Sequence, residues 1–149
     1  MKPIPLLAIS LLLSVSSPAD ELSWQTDWEA AKAQAAQEQK DLFIHFTGSD
    51  WCAWCIKLDE EVFSQETFRE YAAEEFILVE VDFPQQIEQS EALKKQNAAL
   101  KAEYHPPGYP SIFLTNPDGL PYARTGYRPG GPEAYIDYLE LLLDWKDMD

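Results

Sequence analysis

The sequence predicts an α/β domain in which a central mixed β-sheet is flanked by helices. Residues 41–47, 76–82 and 111–114 form short apolar runs rich in β-branched and aromatic residues, the composition of buried strands. Segments of helical composition separate these runs, and residues 85–103 have the length that a crossover between strands requires. Strands that alternate with helices in this way are typical of an α/β domain.

Local signals predict the helices and a final hairpin. Thr26 and Glu29 fit a capping box, in which the side chain of each residue pairs with a backbone N–H near the other, so the first helix is expected to begin there. Residues 116–119 carry a strong turn signal between two strands. The predicted helices cover residues 26–39, 52–63, 67–74, 85–103 and 133–145, and the second arm of the hairpin covers 120–125.

The first 19 residues have the features of a secretory signal peptide. Lys2 supplies the positive start, residues 4–15 the apolar core, and residues 17–19 a small-residue cleavage site before Asp20. The apolar run is shorter than the roughly 20 residues that cross a bilayer, although an uncleaved anchor is the alternative. We therefore expect an exported protein, periplasmic or secreted, with one domain at residues 20–149.

The predicted mature chain is strongly acidic. Removing Lys2 from the 11 basic residues leaves 10 against 26 acidic ones, a formal charge of −16. Such a charge repels nucleic acid and anionic membrane surfaces, so neither is expected as a partner. A highly soluble surface is the simplest explanation of the acidity, and a basic partner is the alternative.

Both cysteines of the chain lie in the motif Trp51-Cys52-Ala53-Trp54-Cys55, between a predicted strand and a predicted helix. If Cys52 begins the helix, Cys55 lies one turn along the same face and the two sulfurs can form a disulfide. A thiol at a helix N-terminus faces unpaired backbone N–H groups and the positive end of the helix dipole, which favour the thiolate. Cys52 is therefore the predicted nucleophile and Cys55 the resolving thiol.

The two cysteines have two other interpretations. A purely structural disulfide closing so short a loop would constrain the unfolded chain only weakly. A metal site would need more than two thiolates, and the only histidines, His45 and His105, are not at zinc-ligand spacing, so no metal is predicted. His45 lies within an apolar run and is expected to be a hydrogen-bonded core residue.

A strand, a Trp-Cys-x-x-Cys motif that opens a helix, and a late Gly-Tyr-Pro-Ser before another strand resemble the thioredoxin-like superfamily, over nearly the whole mature chain. The motif is most similar to that of small exported bacterial members. The resemblance implies a thioredoxin-like fold with a cis peptide bond between Tyr109 and Pro110, beside the cysteines. It also implies that Tyr109 presents its backbone to an incoming peptide, with Trp51, Trp54 and Pro110 as further substrate contacts.

Thioredoxins carry a buried acid on the strand before the motif, where it moves protons at the resolving cysteine, and the resemblance puts Phe46 at that position. The usual proton acceptor is therefore missing. Glu80, which lies between two valines in the next predicted strand, is a candidate proton relay because burial would raise its pKa. An exposed edge carboxylate explains the same sequence.

The first functional hypothesis is a thiol-disulfide oxidoreductase whose Cys52 and Cys55 carry the electrons, so that no separate cofactor is needed. Ala53 and Trp54 match neither the reducing nor the oxidising pair familiar in the superfamily, so the direction stays open. With one site and no dimerisation segment we assume a monomer, and favour a reductase or electron relay that acts on protein disulfides and is recharged by a membrane or soluble partner. The alternative is a binding module whose Trp51, Trp54 and Tyr109 dock a partner and whose disulfide is structural.

Overall fold

The computed structural model describes residues 23–148, so the predicted signal peptide at 1–19 and its cleavage site lie outside the described residues. No helix within 23–148 is long and apolar enough to cross a membrane. The elements are, in chain order, β1 (Trp24–Gln25), α1 (Trp28–Glu38), β2 (Asp41–Thr47), α2 (Ala53–Leu58) continued by a π-helical turn (Asp59–Phe63), α3 (Glu66–Glu75), β3 (Phe76–Asp82), α4 (Glu91–Tyr104), β4 (Ser111–Thr115), β5 (Pro121–Thr125) and α5 (Gly131–Lys146).

The strands form one mixed sheet of five in the order β1-β3-β2-β4-β5, which confirms the predicted fold class. Strands β1, β3 and β2 run parallel, whereas β4 and β5 run antiparallel to their neighbours. Strand β2 lies at the centre, and its residues 42–47 are all buried. A strand that is paired on both edges and covered on both faces requires this nearly continuous apolar sequence.

Side chains that alternate along β2 divide the core into two clusters, one on each face of the sheet. Phe43 packs into the first cluster with Phe63, Phe68 and residues of α5. Leu42, Ile44 and Phe46 pack into the second cluster, on the opposite face. The period of two along a strand therefore decides which face, and which set of neighbours, each β2 residue meets.

The structure corrects two predicted helix starts. The N-cap of α1 is Asp27 rather than Thr26, because the Asp27 carboxylate accepts a hydrogen bond from the backbone N–H of Ala30 at 2.9 Å. Helix α4 begins only at Glu91, where the Ser90 hydroxyl caps it, and not at residue 85. Residues 85–87 donate their backbone N–H groups to a side chain near the cysteines, so the helical composition of residues 85–90 is overridden by a tertiary contact.

Candidate active site

The cysteines lie at the junction between β2 and α2, at the end of the central strand. Cys52 is the N-cap of α2 and forms a disulfide with Cys55 in the first turn. The Sγ atom of Cys52 accepts a hydrogen bond from the backbone N–H of Cys55, with 3.3 Å between sulfur and nitrogen. Cys52 is 7% exposed and Cys55 only 2%, so Cys52 is the more accessible sulfur-bearing residue. A backbone N–H directed at Sγ favours a negative charge on that sulfur once the disulfide is reduced.

The loop between β2 and Cys52 is held in place by β3. The Asp82 carboxylate accepts hydrogen bonds from both the backbone N–H and the hydroxyl of Ser49. The indole N–H of Trp51 donates a hydrogen bond to the backbone carbonyl of Phe83, the residue that follows β3, at 2.7 Å. The motif is thus anchored to the neighbouring strand on the side away from β4.

The four residues expected to contact substrate lie in two aromatic groups. Trp51 is 41% exposed and packs edge-on against Tyr109, with 5.9 Å between ring centroids, and the Tyr109–Pro110 peptide bond is cis as the resemblance implies. Trp54 is 54% exposed and packs instead against Tyr127, at 4.9 Å. Tyr127 comes from the loop before α5, and nothing in the sequence pattern pointed to it.

Behind Cys55 a cavity of about 270 Å³ opens between the motif helix and the sheet. Its walls come from β1, β2, β3 and α2, and they combine aromatic side chains with carboxylates. The lining residues are Trp24, His45, Thr47, Ser49, Cys55, Ile56, Asp59, Glu60, Phe63 and Glu80. A cavity of this size with polar groups in its walls has room for water beside Cys55.

Glu80 borders this cavity together with Cys55. It is half-buried on β3, and burial, followed by the nearby carboxylates of Asp82 and Asp59, raises its pKa above the usual range of a carboxylic acid. The same contacts would make Glu80 hold a proton more readily than a surface glutamate. Glu80, the candidate relay, and Cys55, the predicted resolving cysteine, therefore line the same cavity.

His45, and not Phe46, is the residue of β2 that faces the cysteines. The Phe46 ring points to the opposite face and packs against Tyr104 and Phe113 at 5.8 and 5.6 Å, so its assignment to the position of the thioredoxin acid is corrected. A displacement of one residue along a strand exchanges its two faces. His45 instead pairs in register with Glu80 and lines the cavity.

His45 is a core residue, as predicted, but one of its two ring nitrogens lacks the expected hydrogen bond within the described part of the chain. It is 5% exposed, and its Nε2 atom has no hydrogen-bond partner among residues 23–148. The ring packs between Trp24 and Phe63, at 5.7 and 5.1 Å. Burial lowers the pKa of His45 from 6.5 to about 3, so the imidazole is neutral at physiological pH. Among residues 23–148, no group of three or more His, Cys, Asp or Glu side chains is placed so that it could hold a metal ion.

Comparison with known proteins identifies the family. The family model described as "Thioredoxin-like" matches residues 23–117. The disulfide bond reductase DsbH of Chlamydia pneumoniae is 37% identical over 125 residues, covering 84% of this chain and 75% of the relative. A solved structure of a DsbH oxidoreductase superposes with a TM-score of 0.80 at 33% identity, covering 92% of this chain and 95% of the other. The thioredoxin-related protein DsbJ of C. pneumoniae is 29% identical over 135 residues, covering 85% of this chain but only 38% of the relative. The chain belongs to the thioredoxin-like family, as the motif predicted, and is a thiol-disulfide oxidoreductase.

Proposed function

We propose that this protein is exported and reduces protein disulfides, or relays electrons to them, through the Cys52–Cys55 couple. The observation that carries the proposal is the position of Cys52, whose sulfur sits at a helix start and accepts the N–H of Cys55. The similarity to a protein named disulfide bond reductase supports the reducing direction. Residues 1–19, with the composition of a signal peptide, support export.

The chemistry follows from the two sulfurs. In the reduced protein the Cys52 thiolate attacks one sulfur of a substrate disulfide, the S–S bond of the substrate breaks, and its other sulfur leaves as a thiolate that takes a proton from water. The Cys55 thiolate then attacks Sγ of Cys52, which forms the Cys52–Cys55 disulfide and releases the second substrate sulfur. The dithiol supplies the two electrons, so a separate membrane or soluble dithiol must reduce the protein again.

Substrate contact is assigned to Trp51, Trp54, Tyr109 and Pro110. Both tryptophans are substantially exposed although they are large and apolar, and each packs against a tyrosine ring. Exposed aromatic side chains around a nearly buried sulfur form an apolar surface to which a substrate polypeptide can bind. The proposal treats the protein as a monomer that acts on one disulfide at a time.

Glu80 is proposed to accept the proton of Cys55. Cys55 is nearly fully buried, burial disfavours a thiolate, and the thiol must be deprotonated before it can attack. Glu80 borders the same cavity, and its raised pKa brings it closer to that of a thiol. His45 lies alongside but is held neutral, so the base must be one of the carboxylates of the cavity, among which Glu80 is the predicted relay.

Replacing Glu80 by glutamine is expected to slow the second step, in which Cys55 releases the substrate, by about 100-fold near neutral pH, the lower end of what a positioned base contributes. The decay of a preformed mixed disulfide, followed by mass spectrometry as a function of pH, measures this step. Glu74→Gln, an exposed change on α3, removes the same charge far from the cavity and serves as the control. A pH profile identical to that of the parent protein would contradict the relay.

The proposed function is tested by equilibrating residues 20–149 with a dithiol buffer, with Cys52→Ala as the control. A reduction potential near that of thioredoxin, about −270 mV, would support a reductase, whereas one near about −120 mV would indicate an oxidase. Complete failure to exchange with the buffer would reject the enzyme and leave the binding module.

A further inference from the structure

Residues 83–90 connect β3 to α4 and lie against the motif. The two carboxylate oxygens of Asp50, two residues before Cys52, accept hydrogen bonds from the backbone N–H groups of residues 85, 86 and 87 at 2.8, 2.7 and 2.9 Å. These three bonds lower the pKa of Asp50, so its carboxylate stays charged and in place throughout the neutral range. The segment is therefore bound to the loop that carries the nucleophile.

The segment extends the aromatic group around Trp51. Phe83 packs against Tyr109 in a tilted arrangement with 5.6 Å between ring centroids, and its backbone carbonyl accepts a hydrogen bond from the indole N–H of Trp51. Ile87, held by Asp50 through its backbone, is 59% exposed. We call the surface formed by Trp51, Phe83, Ile87 and Tyr109 the 83–90 wall. Trp51 directly precedes Cys52 in the chain, so this apolar surface borders the motif.

A positive charge lies over this wall. The Lys101 ammonium of α4 is 5.4 Å from the centroid of the Phe83 ring and 5.7 Å from that of Tyr109. At physiological ionic strength the charges of distant carboxylates are screened beyond about 8 Å, so Lys101 acts locally even in this acidic protein. A cation above an apolar surface complements a ligand that carries an apolar side chain and a carboxylate.

We propose that the 83–90 wall binds the residues next to the reacting cysteine of the substrate, and that it selects a polypeptide with a large apolar and an acidic side chain there. This inference rests on the proposed function and names the substrate class of the same site. Cys52 is only 7% exposed, so a substrate sulfur that reaches it brings its neighbouring residues against the surface around the motif, and Trp51 and Tyr109 of the wall are part of that surface. The Asp50 carboxylate accepts three hydrogen bonds from the backbone of the segment, which hold it in a non-helical form beside the motif.

The test uses three synthetic peptides, each with one cysteine joined by a disulfide to the same aromatic thiol. One peptide carries Leu and Glu beside the cysteine, the second has Ser in place of Leu, and the third has Lys in place of Glu. Protein reduced beforehand and freed of reductant attacks the peptide sulfur and expels the aromatic thiolate, the better leaving group, whose absorbance gives the rate. We expect the first peptide to react about tenfold faster than the second and about threefold faster than the third at physiological ionic strength, where distant carboxylates are screened.

Two variants assign these preferences to the wall. Ile87→Ser is expected to remove most of the advantage of Leu over Ser, and Lys101→Gln the advantage of Glu over Lys. Leu141→Ser, which alters a comparably exposed apolar residue on α5, and Lys94→Gln, which removes a lysine from the same helix as Lys101, are expected to leave both ratios unchanged. Equal rates for all three peptides, or ratios unchanged in Ile87→Ser and Lys101→Gln, would overturn the inference. If the parent protein expels no thiol from any peptide nor from hydroxyethyl disulfide, the proposed function itself fails.

Discussion

Replacing Cys52 by serine is expected to abolish disulfide reduction, leaving only the rate of the uncatalysed exchange. Serine keeps the N-cap hydrogen bond to the helix but its hydroxyl does not ionise near neutral pH, so the attacking thiolate is lost while the fold is retained. The reduction of a disulfide-containing protein such as insulin by the pre-reduced variant measures the loss. Ser49→Ala, which changes a hydroxyl in the same loop, controls for a general disturbance of the loop.

Replacing Cys55 by serine is expected to give the complementary result. The first attack by Cys52 proceeds, but no resolving thiol follows, so the covalent complex between Cys52 and the substrate accumulates. Mass spectrometry under non-reducing conditions detects this species in Cys55→Ser and its absence in Cys52→Ser. Accumulation in the Cys52 variant instead would reverse the roles of the two cysteines, in conflict with their exposures of 7% and 2%.

Replacing His45 by phenylalanine is expected to remove a large part of the loss of stability that acid causes. The folded protein holds His45 neutral, with a pKa of about 3 against 6.5 in the unfolded chain. Between these values the unfolded state binds one more proton than the folded state, so the free energy of unfolding falls as the pH falls, by about 1.4 kcal/mol per pH unit. The expected contribution between about pH 6 and pH 4 is therefore about 2–3 kcal/mol.

Phenylalanine suits the position because it fills the space between Trp24 and Phe63 and leaves no unpaired nitrogen. Urea unfolding at several pH values gives the difference between the parent protein and the variant. Glu80, whose pKa is raised, contributes a slope of the opposite sign above the ordinary pKa of a glutamate, but it is present in both proteins and cancels in the difference. His105→Asn removes the exposed histidine and is the control; parallel stability curves for the parent and His45→Phe would contradict the prediction.

Strand and motif positions could be predicted because their signals are local. The run at 41–47 is β2 with the predicted bounds, and the run at 76–82 is β3, since a strand buried on both faces needs a continuous apolar sequence. The cis bond before Pro110 followed from the resemblance alone. Strand β1 was missed because two residues carry no periodicity.

The errors occur where a distant group overrides a local preference. Residues 85–90 have helical composition, but the backbone N–H groups of residues 85–87 donate to the Asp50 carboxylate. This tertiary contact holds the segment in a non-helical form. The assignment of Phe46 was wrong because the sequence of the loop between β2 and the motif does not specify which face of β2 is directed at the cysteines. Both of these errors concern which groups surround the cysteines, and local preferences do not specify that arrangement.

By itself the sequence determined the α/β class, the thioredoxin-like family and the position of the Cys52–Cys55 pair at a strand–helix junction, because each depends on residues close together in the chain. Only the tertiary structure decided what surrounds the pair. The parallel register of β2 and β3 sets His45 beside Glu80 behind Cys55, and the carboxylate of Asp50 binds residues 85–87 beside the motif. These residues are separated by about 35 positions, and their meeting depends on strand pairing and on a side-chain hydrogen bond that composition and periodicity do not encode.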